Sequence, residues 1–317
     1  MVKEFMPAAP DFVEFHTLYS SPIVTVSKFC CRANKSGPGE EELSEANRVV
    51  LMRRGAFSKH LGRKKITADV NQAIFFAKDA VYRVSHPVDC GDCGTIFTLA
   101  PRNLNDIVRA RDPWIDEHPD RPFQFVTGPG DAKIYWRHRL LLHRLESRCE
   151  DPIEHFWADE TTLQLVADVL EFAFDKHGSP PETRRIATNV DHAEKTEEAK
   201  EFLAARMSER ITLDEIARKV GASPFNFARM FRRQTGLPVH RYLTLLRLGA
   251  SLERLAESHI DLTILALELG FSSHSHFTDV FRREFGETPS TFRRKASRKS
   301  IREIGRNLIA RRSTCDR

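Results

Sequence analysis

The chain has 317 residues, of which 41% are hydrophobic and 29% are charged. This length and composition are typical of a soluble globular protein with two or three domains. No apolar run approaches the ~18 residues that a membrane-spanning helix needs, and the N-terminal residues lack the basic and apolar regions of a secretory signal. We therefore expect a cytoplasmic protein with no membrane partner.

The net charge of +5 is distributed unevenly along the chain. Residues 201–317 contain 22 Lys and Arg against 13 Asp and Glu, whereas residues 1–200 contain 27 against 31. Because Lys and Arg neutralise phosphates, the basic C-terminal third is the expected nucleic-acid-binding part.

Residues 1–110 are predicted to form a small β-barrel. Five short segments have the composition of strands and are separated by turn residues. They are PIVTVSKF, RVVLMRRGAF, AIFFA, VYRVSH and GTIFTL, between Pro22 and Pro101. No long helical pattern separates them, which favours an antiparallel barrel or sandwich. The interior of a barrel is a natural pocket for a small-molecule effector, so this domain is the expected sensor.

Residues 111–176 are expected to contain a pair of helices, from about Ala132 to Arg148 and from Glu160 to Lys176. The second helix carries an amphipathic stripe, which consists of Leu163, Val166, Ala167, Leu170 and Phe174. Such a stripe forms a core within one chain or contributes to a homodimer interface. The pair is therefore a candidate dimerisation element.

Residues 177–196 read as a linker, because they combine Gly, two prolines and mixed charges with no apolar periodicity. At the other end of the chain, residues 297–317 are expected to form a basic tail. The segment between these two, residues 197–296, is expected to be an all-helical domain.

An internal repeat lies within residues 197–296. One copy begins at Ile211 and the other at Ile260. Apolar residues and a glycine recur at a spacing of 49, and aromatic, basic and glycine residues recur at a spacing of 50. The matched residues are Ile216, Ala217, Val220 and Gly221 with Leu265, Ala266, Leu269 and Gly270, and Phe227, Phe231, Arg232, Arg233 and Gly236 with Phe277, Phe281, Arg282, Arg283 and Gly286.

Each copy has the pattern of a helix-turn-helix motif: a periodic helix, a turn marked by Gly, and a serine that caps a second helix. In the first copy Ser223 precedes Pro224, which suits the first helical position. In the second copy either Ser272 or Ser273 can act as the cap. The two copies are joined by Val239–Ser258, an apolar-periodic stretch of about 20 residues that would span ~30 Å as a helix.

This C-terminal third resembles the DNA-binding domain of the AraC/XylS family of bacterial transcription regulators. The resemblance covers about 100 residues and is carried by the paired motifs, the connector and the segment LALELGFSSHSHFTDVFRREFGETPSTFRR, at Leu265–Arg294. It implies a transcription regulator, an activator in many relatives, that contacts RNA polymerase. It also implies that the N-terminal barrel is a cupin-like sensor. The expected fold is thus α+β, with a β-barrel domain followed by an all-α domain.

The second helix of each motif is expected to read DNA. A connector of this length can set the two helices in adjacent major-groove segments, since one turn of DNA is ~34 Å. Arg and Asn offer the donors and acceptors that match guanine and adenine edges, and His, Ser and Thr bond to either. For the bulky residue Phe225 the resemblance implies contact with a thymine methyl, although a core role fits it equally. The candidate base contacts are Phe225, Asn226, Arg229, His274, Ser275 and Thr278.

Four further arginines are expected to contact phosphates, which position a protein on DNA without specifying its sequence. They are Arg232, Arg233, Arg282 and Arg283. The alternative for each is an ordinary solvated helix face. Asp279 departs from the basic or polar residue common at its place in the family; it can accept from cytosine, repel a phosphate or hold a neighbouring Arg.

A cluster of cysteines raises the alternative of a regulator that senses a metal or a thiol redox state. Cys90 and Cys93 form a C-x-x-C pair, with His86 just before it and with Cys30 and Cys31 on an earlier strand. A zinc site would need further ligands, and a dithiol switch would need reactive thiols. Two reduced thiols in a Gly-rich turn are the commoner case, so neither a metal nor another cofactor is expected.

An enzyme fused to a DNA-binding module is the remaining alternative. A cupin enzyme needs a close His-x-His pair on a strand, and the one such pair, His274 and His276, lies in a predicted recognition helix. No nucleophile-elbow, P-loop or zinc-protease motif is present either. The chain is therefore expected not to be an enzyme.

Overall fold

The computed structural model describes residues 13–32, 37–87, 91–146, 152–177, 186–257 and 260–296. The N-terminal region contains ten β-strands in this part of the chain. They are β1 (Val13–Ser20), β2 (Val24–Cys31), β3 (Glu42–Leu43), β4 (Arg48–Arg54), β5 (Phe57–Leu61), β6 (Lys64–Ala68), β7 (Gln72–Phe76), β8 (Val81–Ser85), β9 (Asp92–Leu99) and β10 (Thr127–Pro129).

The strands form two open antiparallel sheets, and the predicted cupin-like barrel is not seen. One sheet has the order β1-β2-β9-β4-β7-β10 and the other β3-β8-β5-β6. In the described residues β1 and β10 are the unjoined edges of the larger sheet, so this sheet does not close on itself. The larger sheet stays open because both of its faces are covered by other elements. The smaller sheet packs on one face and helices pack on the other, which gives a layered structure.

Strand β4 shows the consequence of this burial on both faces. Val49 and Leu51 point towards the helices, whereas Val50 and Met52 point into the space between the sheets. A strand that is covered on both sides is a continuous apolar run rather than an alternating one. The predicted segment RVVLMRRGAF is interrupted after β4 by Gly55, which has a φ of 68°.

Three helices cover the larger sheet: α1 (Pro101–Arg109), α2 (Ala132–Glu146) and α3 (Pro152–His177), with a 3₁₀ turn at Pro113–Asp116. Helices α2 and α3 match the predicted pair, whereas α1 has no counterpart among the predicted elements. The stripe on α3 packs on the chain's own sheet, where Val166 and Leu170 are each 1% exposed. Core packing within the chain therefore accounts for the stripe.

Seven helices form the C-terminal region of the described chain. They are α4 (Ile186–Ala205), α5 (Leu213–Lys219), α6 (Pro224–Thr235), α7 (Val239–Glu257), α8 (Leu262–Glu268), α9 (His274–Phe285) and α10 (Pro289–Ala296). Helix α4 begins inside the predicted linker, so residues 186–196 are helical; residues 178–185 lie outside the described residues, as does the predicted basic tail at 297–317. None of the described helices is long and apolar enough to cross a membrane.

The two regions pack directly against each other. Trp136 on α2 stacks on Phe285 with a ring-centroid separation of 5.5 Å, and the tilted ring of Phe292 lies 4.7 Å away. Near the start of α7, the buried Tyr242 hydroxyl donates to the Asp69 carboxylate in the turn between β6 and β7. The connector between the two repeat copies is thereby held by the N-terminal region.

Candidate nucleic-acid interface

The first repeat copy forms two short helices with defined caps. Thr212 and Glu215 make a reciprocal capping box at the start of α5. The Ser223 hydroxyl accepts from the backbone N–H of Asn226 at 3.4 Å, and Pro224 opens α6 as predicted. Between the helices Gly221 has a φ of 64°, a conformation that costs glycine little.

The second copy repeats this arrangement with different caps. The Asp261 carboxylate accepts from the backbone N–H of Thr263 at 2.7 Å and of Ile264 at 3.2 Å. Of the two serines proposed as the next cap, Ser273 fills the position and accepts from the His276 N–H at 3.1 Å. The Ser272 hydroxyl instead lies 3.0 Å from His276 Nδ1.

The inner faces of α6 and α9 carry the phenylalanines that recur in the repeat. Phe227 and Phe231 on α6 have no exposed surface, and the same holds for Phe277 and Phe281 on α9. Each pair packs in its own apolar cluster. Buried and exposed positions follow each other in nearly the same order along the two helices, so both helices present the same face to solvent.

The outer faces carry the residues that the sequence singled out. Phe225 is 74% exposed, which rules out the core role that was left open for it. Asn226 and Arg229 are exposed beside it, and so is Ser275 on α9. The four candidate phosphate contacts, Arg232, Arg233, Arg282 and Arg283, are all exposed, as is Asp279.

His274 on α9 lies deeper than Pro224, its counterpart on α6, whereas Thr278 is half-buried like its counterpart Ala228. His274 and Thr278 are half-buried, and the Thr278 hydroxyl lies 3.4 Å from His274 Nε2. One turn of helix separates them, which places both on one side of α9. Contact of either side chain with another group would compete with this hydrogen bond.

A groove beside α6 was not anticipated from the sequence. The groove has a volume of about 530 Å³ and adjoins the predicted interface. Leu213 and Leu243 line it together with Phe225 and Arg229. Leu213 is 40% exposed, and an exposed leucine at a helix start gives no signal in a sequence pattern that looks for buried faces.

Helix α7 joins the copies as predicted, over 19 residues. Its buried side chains divide between the two clusters: Tyr242 and Leu246 pack with the first copy, and Leu248 and Leu252 pack with the second. An ion pair between Arg241 on α7 and Glu284 on α9 fixes the second copy further. The two copies therefore share one rigid connector.

The cysteine cluster differs from the prediction. Cys93 forms a disulfide with Cys30, not a pair with Cys90, which lies outside the described residues. His86 bonds to Asp92 through Nδ1 at 2.5 Å and to Cys31 through Nε2 at 3.5 Å. Burial alone would lower the pKa of His86, but the hydrogen bonds to Asp92 and Cys31 outweigh it and raise that pKa to about 10.

Among the described residues, Cys31, His86 and Asp92 gather metal-ligand atoms within 4.8 Å of one another. Both ring nitrogens of His86 are already engaged by the other two side chains. The group is thus a hydrogen-bonded chain of three side chains. Of the predicted set, Cys93 is held in the disulfide and Cys90 lies outside the described residues.

Comparison with known proteins adds a family to this geometry. A family described as a helix-turn-helix domain matches residues 216–295. The regulatory protein PocR of Salmonella typhimurium is 28% identical over 109 residues, which are 34% of this chain and 36% of PocR. The HTH-type transcriptional activator RhaS of Escherichia coli is 34% identical over 92 residues, 29% of this chain and 33% of RhaS. The match thus spans about a third of the length of these relatives.

Two solved structures are also similar to parts of this chain. A transcriptional regulator with an AraC-type DNA-binding domain from Chromobacterium violaceum is 29% identical, with 33% of this chain and 95% of that chain covered and a TM-score of 0.32. ToxT from Vibrio cholerae is 10% identical, with 89% of this chain and 98% of that chain covered and a TM-score of 0.33.

Proposed function

We propose that this chain is a sequence-specific DNA-binding regulator of the AraC/XylS type, because its C-terminal region matches a helix-turn-helix family and is similar to the activator RhaS. The observation that carries the proposal is the pair of matching solvent-facing helices, α6 and α9, on one connector. Helices presented in this way can enter the major groove. The relatives in the comparison are named as regulators, and we propose no enzymatic activity.

Both repeat copies act as helix-turn-helix motifs in this proposal, and they bind adjacent major-groove segments on one face of the DNA. At 1.5 Å per residue, the 19 residues of α7 extend about 28 Å. That length is close to the ~34 Å that separates successive major grooves. The apolar clusters on both ends of α7 support a constant spacing between the two reading helices.

The base contacts in this proposal come from the exposed outer faces. Arg229 donates to guanine O6 and N7, Asn226 pairs with adenine, and Phe225 contacts a thymine methyl. On α9 the contacts come from His274, Ser275 and Thr278. The exposed arginines Arg232, Arg233, Arg282 and Arg283 contact phosphates.

In this proposal the N-terminal region senses an unidentified small-molecule effector. The protein acts in the cytoplasm as an activator that contacts RNA polymerase. It also forms a homodimer. The direct packing of the N-terminal region on α7 and α9 supports coupling of a sensor to the reading helices. An effector can shift DNA binding only by the difference in its affinity for the two arrangements.

Footprinting on genomic fragments that the full chain selects tests the proposal. We expect two protected patches about one helical turn apart on one face of the DNA. Exchange of the bases in either patch should weaken binding. A single short protected patch, or binding that is indifferent to base exchange, would refute the proposed arrangement.

A further inference from the structure

The disulfide between Cys30 and Cys93 joins the end of β2 to the start of β9 in the larger sheet, where two arginines contact its sulfurs. The two cysteines are directly opposite each other on β2 and β9, with their Cα atoms 4.2 Å apart. Arg53 Nη2 lies 3.4 Å from the Cys30 sulfur, and Arg54 Nη2 lies 3.7 Å from the Cys93 sulfur. Both sulfurs thus accept hydrogen bonds from cationic groups.

One of these arginines also contacts the connector of the DNA-binding region. Arg53 Nη1 lies 3.2 Å from Glu253 Oε1 on α7, and Arg139 Nη1 on α2 lies 2.7 Å from the other oxygen of the same carboxylate. The side chains of Arg53, Arg139 and Glu253 are only 6 to 7% exposed. A buried carboxylate that loses a cationic partner is strongly destabilised, so the position of Arg53 matters to α7.

The backbone reinforces this contact. The Tyr135 hydroxyl on α2 lies 2.8 Å from the Arg53 carbonyl oxygen and 3.1 Å from the Gly249 carbonyl oxygen on α7. A single side chain, Arg53, therefore separates the Cys30 sulfur from the helix that joins the two repeat copies. Arg54 contacts the other sulfur without an ion pair to Glu253, which makes it a natural control.

We propose that the Cys30–Cys93 disulfide is a redox modification site, and that its state sets how firmly the N-terminal region holds α7. The biological consequence rests on the proposed function, because the hold on α7 affects regulation only if both repeat copies bind DNA. Structural disulfides are rare in the compartment where such a protein meets DNA, and those found there are usually redox-sensing or catalytic.

The chemistry needs one thiol reductant and one oxidant. In reduction, a dithiol transfers two electrons and two protons to the pair; the Cys30–Cys93 bond breaks and a disulfide forms in the reductant. In oxidation, a thiolate of the pair attacks hydrogen peroxide, which releases hydroxide and leaves a sulfenic acid. The second thiol then displaces water from that sulfenic acid and restores the disulfide. Cys30 is only half-buried, so it gives small reagents access to the pair.

Reduction changes the charge of the Cys30 sulfur that Arg53 contacts. A guanidinium stabilises a neighbouring thiolate, so the reduced Cys30 sulfur attracts Arg53 more strongly than the disulfide sulfur does. The thiolate, which Nη2 contacts, then draws the guanidinium away from Glu253, which Nη1 contacts. The ion pair across the interface weakens, and α7 becomes less firmly held.

Hydrogen exchange of the full chain, followed by mass spectrometry, tests the proposal. With the disulfide intact, amides of residues 248–254 should exchange slowly; after reduction with dithiothreitol they should exchange at least tenfold faster. Arg53→Met should abolish the difference between the two states, whereas the matched variant Arg54→Met should keep it. Peptide mapping after thiol alkylation confirms the redox state in each sample.

Three results would overturn the proposal. They are a Cys30–Cys93 pair that peroxide fails to link, equal exchange of α7 in the two states, and a redox difference that persists in Arg53→Met. If that variant does not fold, the double variant Cys30→Ser, Cys93→Ser replaces it and should exchange at one rate under both conditions. DNA affinity measured on the same samples is a separate readout. Loss of all sequence-specific binding refutes the proposed function, whereas the hydrogen-exchange data test the redox site.

Discussion

The two repeat copies share their buried phenylalanines and their caps, here called the frame, and differ in their outer faces. In both, two phenylalanines four residues apart are buried without exposed surface, and a serine caps the second helix. On the outer face, α6 presents Arg229, whereas α9 presents Asp279 at the matching position. The difference teaches that packing constrains one side of each helix and leaves the other side free to specify different DNA.

The largest effect should come from the shared frame. Phe231→Ala and Phe281→Ala each remove a ring with no exposed surface, and each should lower the free energy of unfolding by about 3 to 5 kcal/mol. Urea titration followed by circular dichroism measures both. If one variant were destabilised by less than half as much as the other, the two frames would not be equivalent.

The second-largest effect should come from base contacts on the outer faces, and it should be greater for α6 than for α9. Arg229→Ala should cost about 1 to 3 kcal/mol in affinity and relax specificity at one base pair, because the arginine is proposed to bond a guanine edge twice. Fluorescence anisotropy against a set of single-base variants of the selected site measures this. Thr278→Ala tests a proposed base contact on α9. We expect a smaller loss of affinity, because the Thr278 hydroxyl already bonds to His274 in the free protein. Equal loss on every sequence for Arg229→Ala would contradict base reading.

These outer faces, and the frame beneath them, were accessible from sequence because their causes are local. The caps, the turn glycine and the buried phenylalanines all act within about a dozen residues, so the pattern carries them directly. The exposure of Phe225 needed the structure, since an aromatic residue at the first turn fits a core as well as a groove, and so did the choice of Ser273 over Ser272 as the cap.

The N-terminal region was harder to predict because its contacts are distant in sequence. Strand β4 is buried on both faces, so it carries no alternation that would reveal a layered sheet. The charged segment GRKK hid the hairpin of β5 and β6, which turns at Gly62 with a φ of 57°. Helix α4 contacts α5, α6, α7 and β6 on several sides, and such a helix shows no single apolar stripe. The pairing of Cys30 with Cys93 spans 63 residues and leaves no local signal.

A third effect tests what the two copies share on their outer faces. Arg232→Ala and Arg282→Ala occupy equivalent exposed positions, and each should weaken binding to all sequences alike. Each should also reduce the slope of log affinity against log salt concentration by about 0.9, the value for one phosphate contact. Anisotropy titrations at several salt concentrations provide the slope. An unchanged slope in either variant would assign that arginine to the solvated helix face.

The smallest effect concerns Asp279, the residue that breaks the symmetry. Asp279→Asn removes one negative charge from an exposed position and leaves the size of the side chain unchanged. If Asp279 accepts from a cytosine, the substitution weakens binding at one base pair by about 1 kcal/mol or less and leaves other sites unaffected. If it repels a phosphate, affinity for every sequence rises instead, more at low salt than at high salt. The same single-base panel used for Arg229 separates the two results, and it shows whether α9 reads bases with a carboxylate where α6 reads them with a guanidinium.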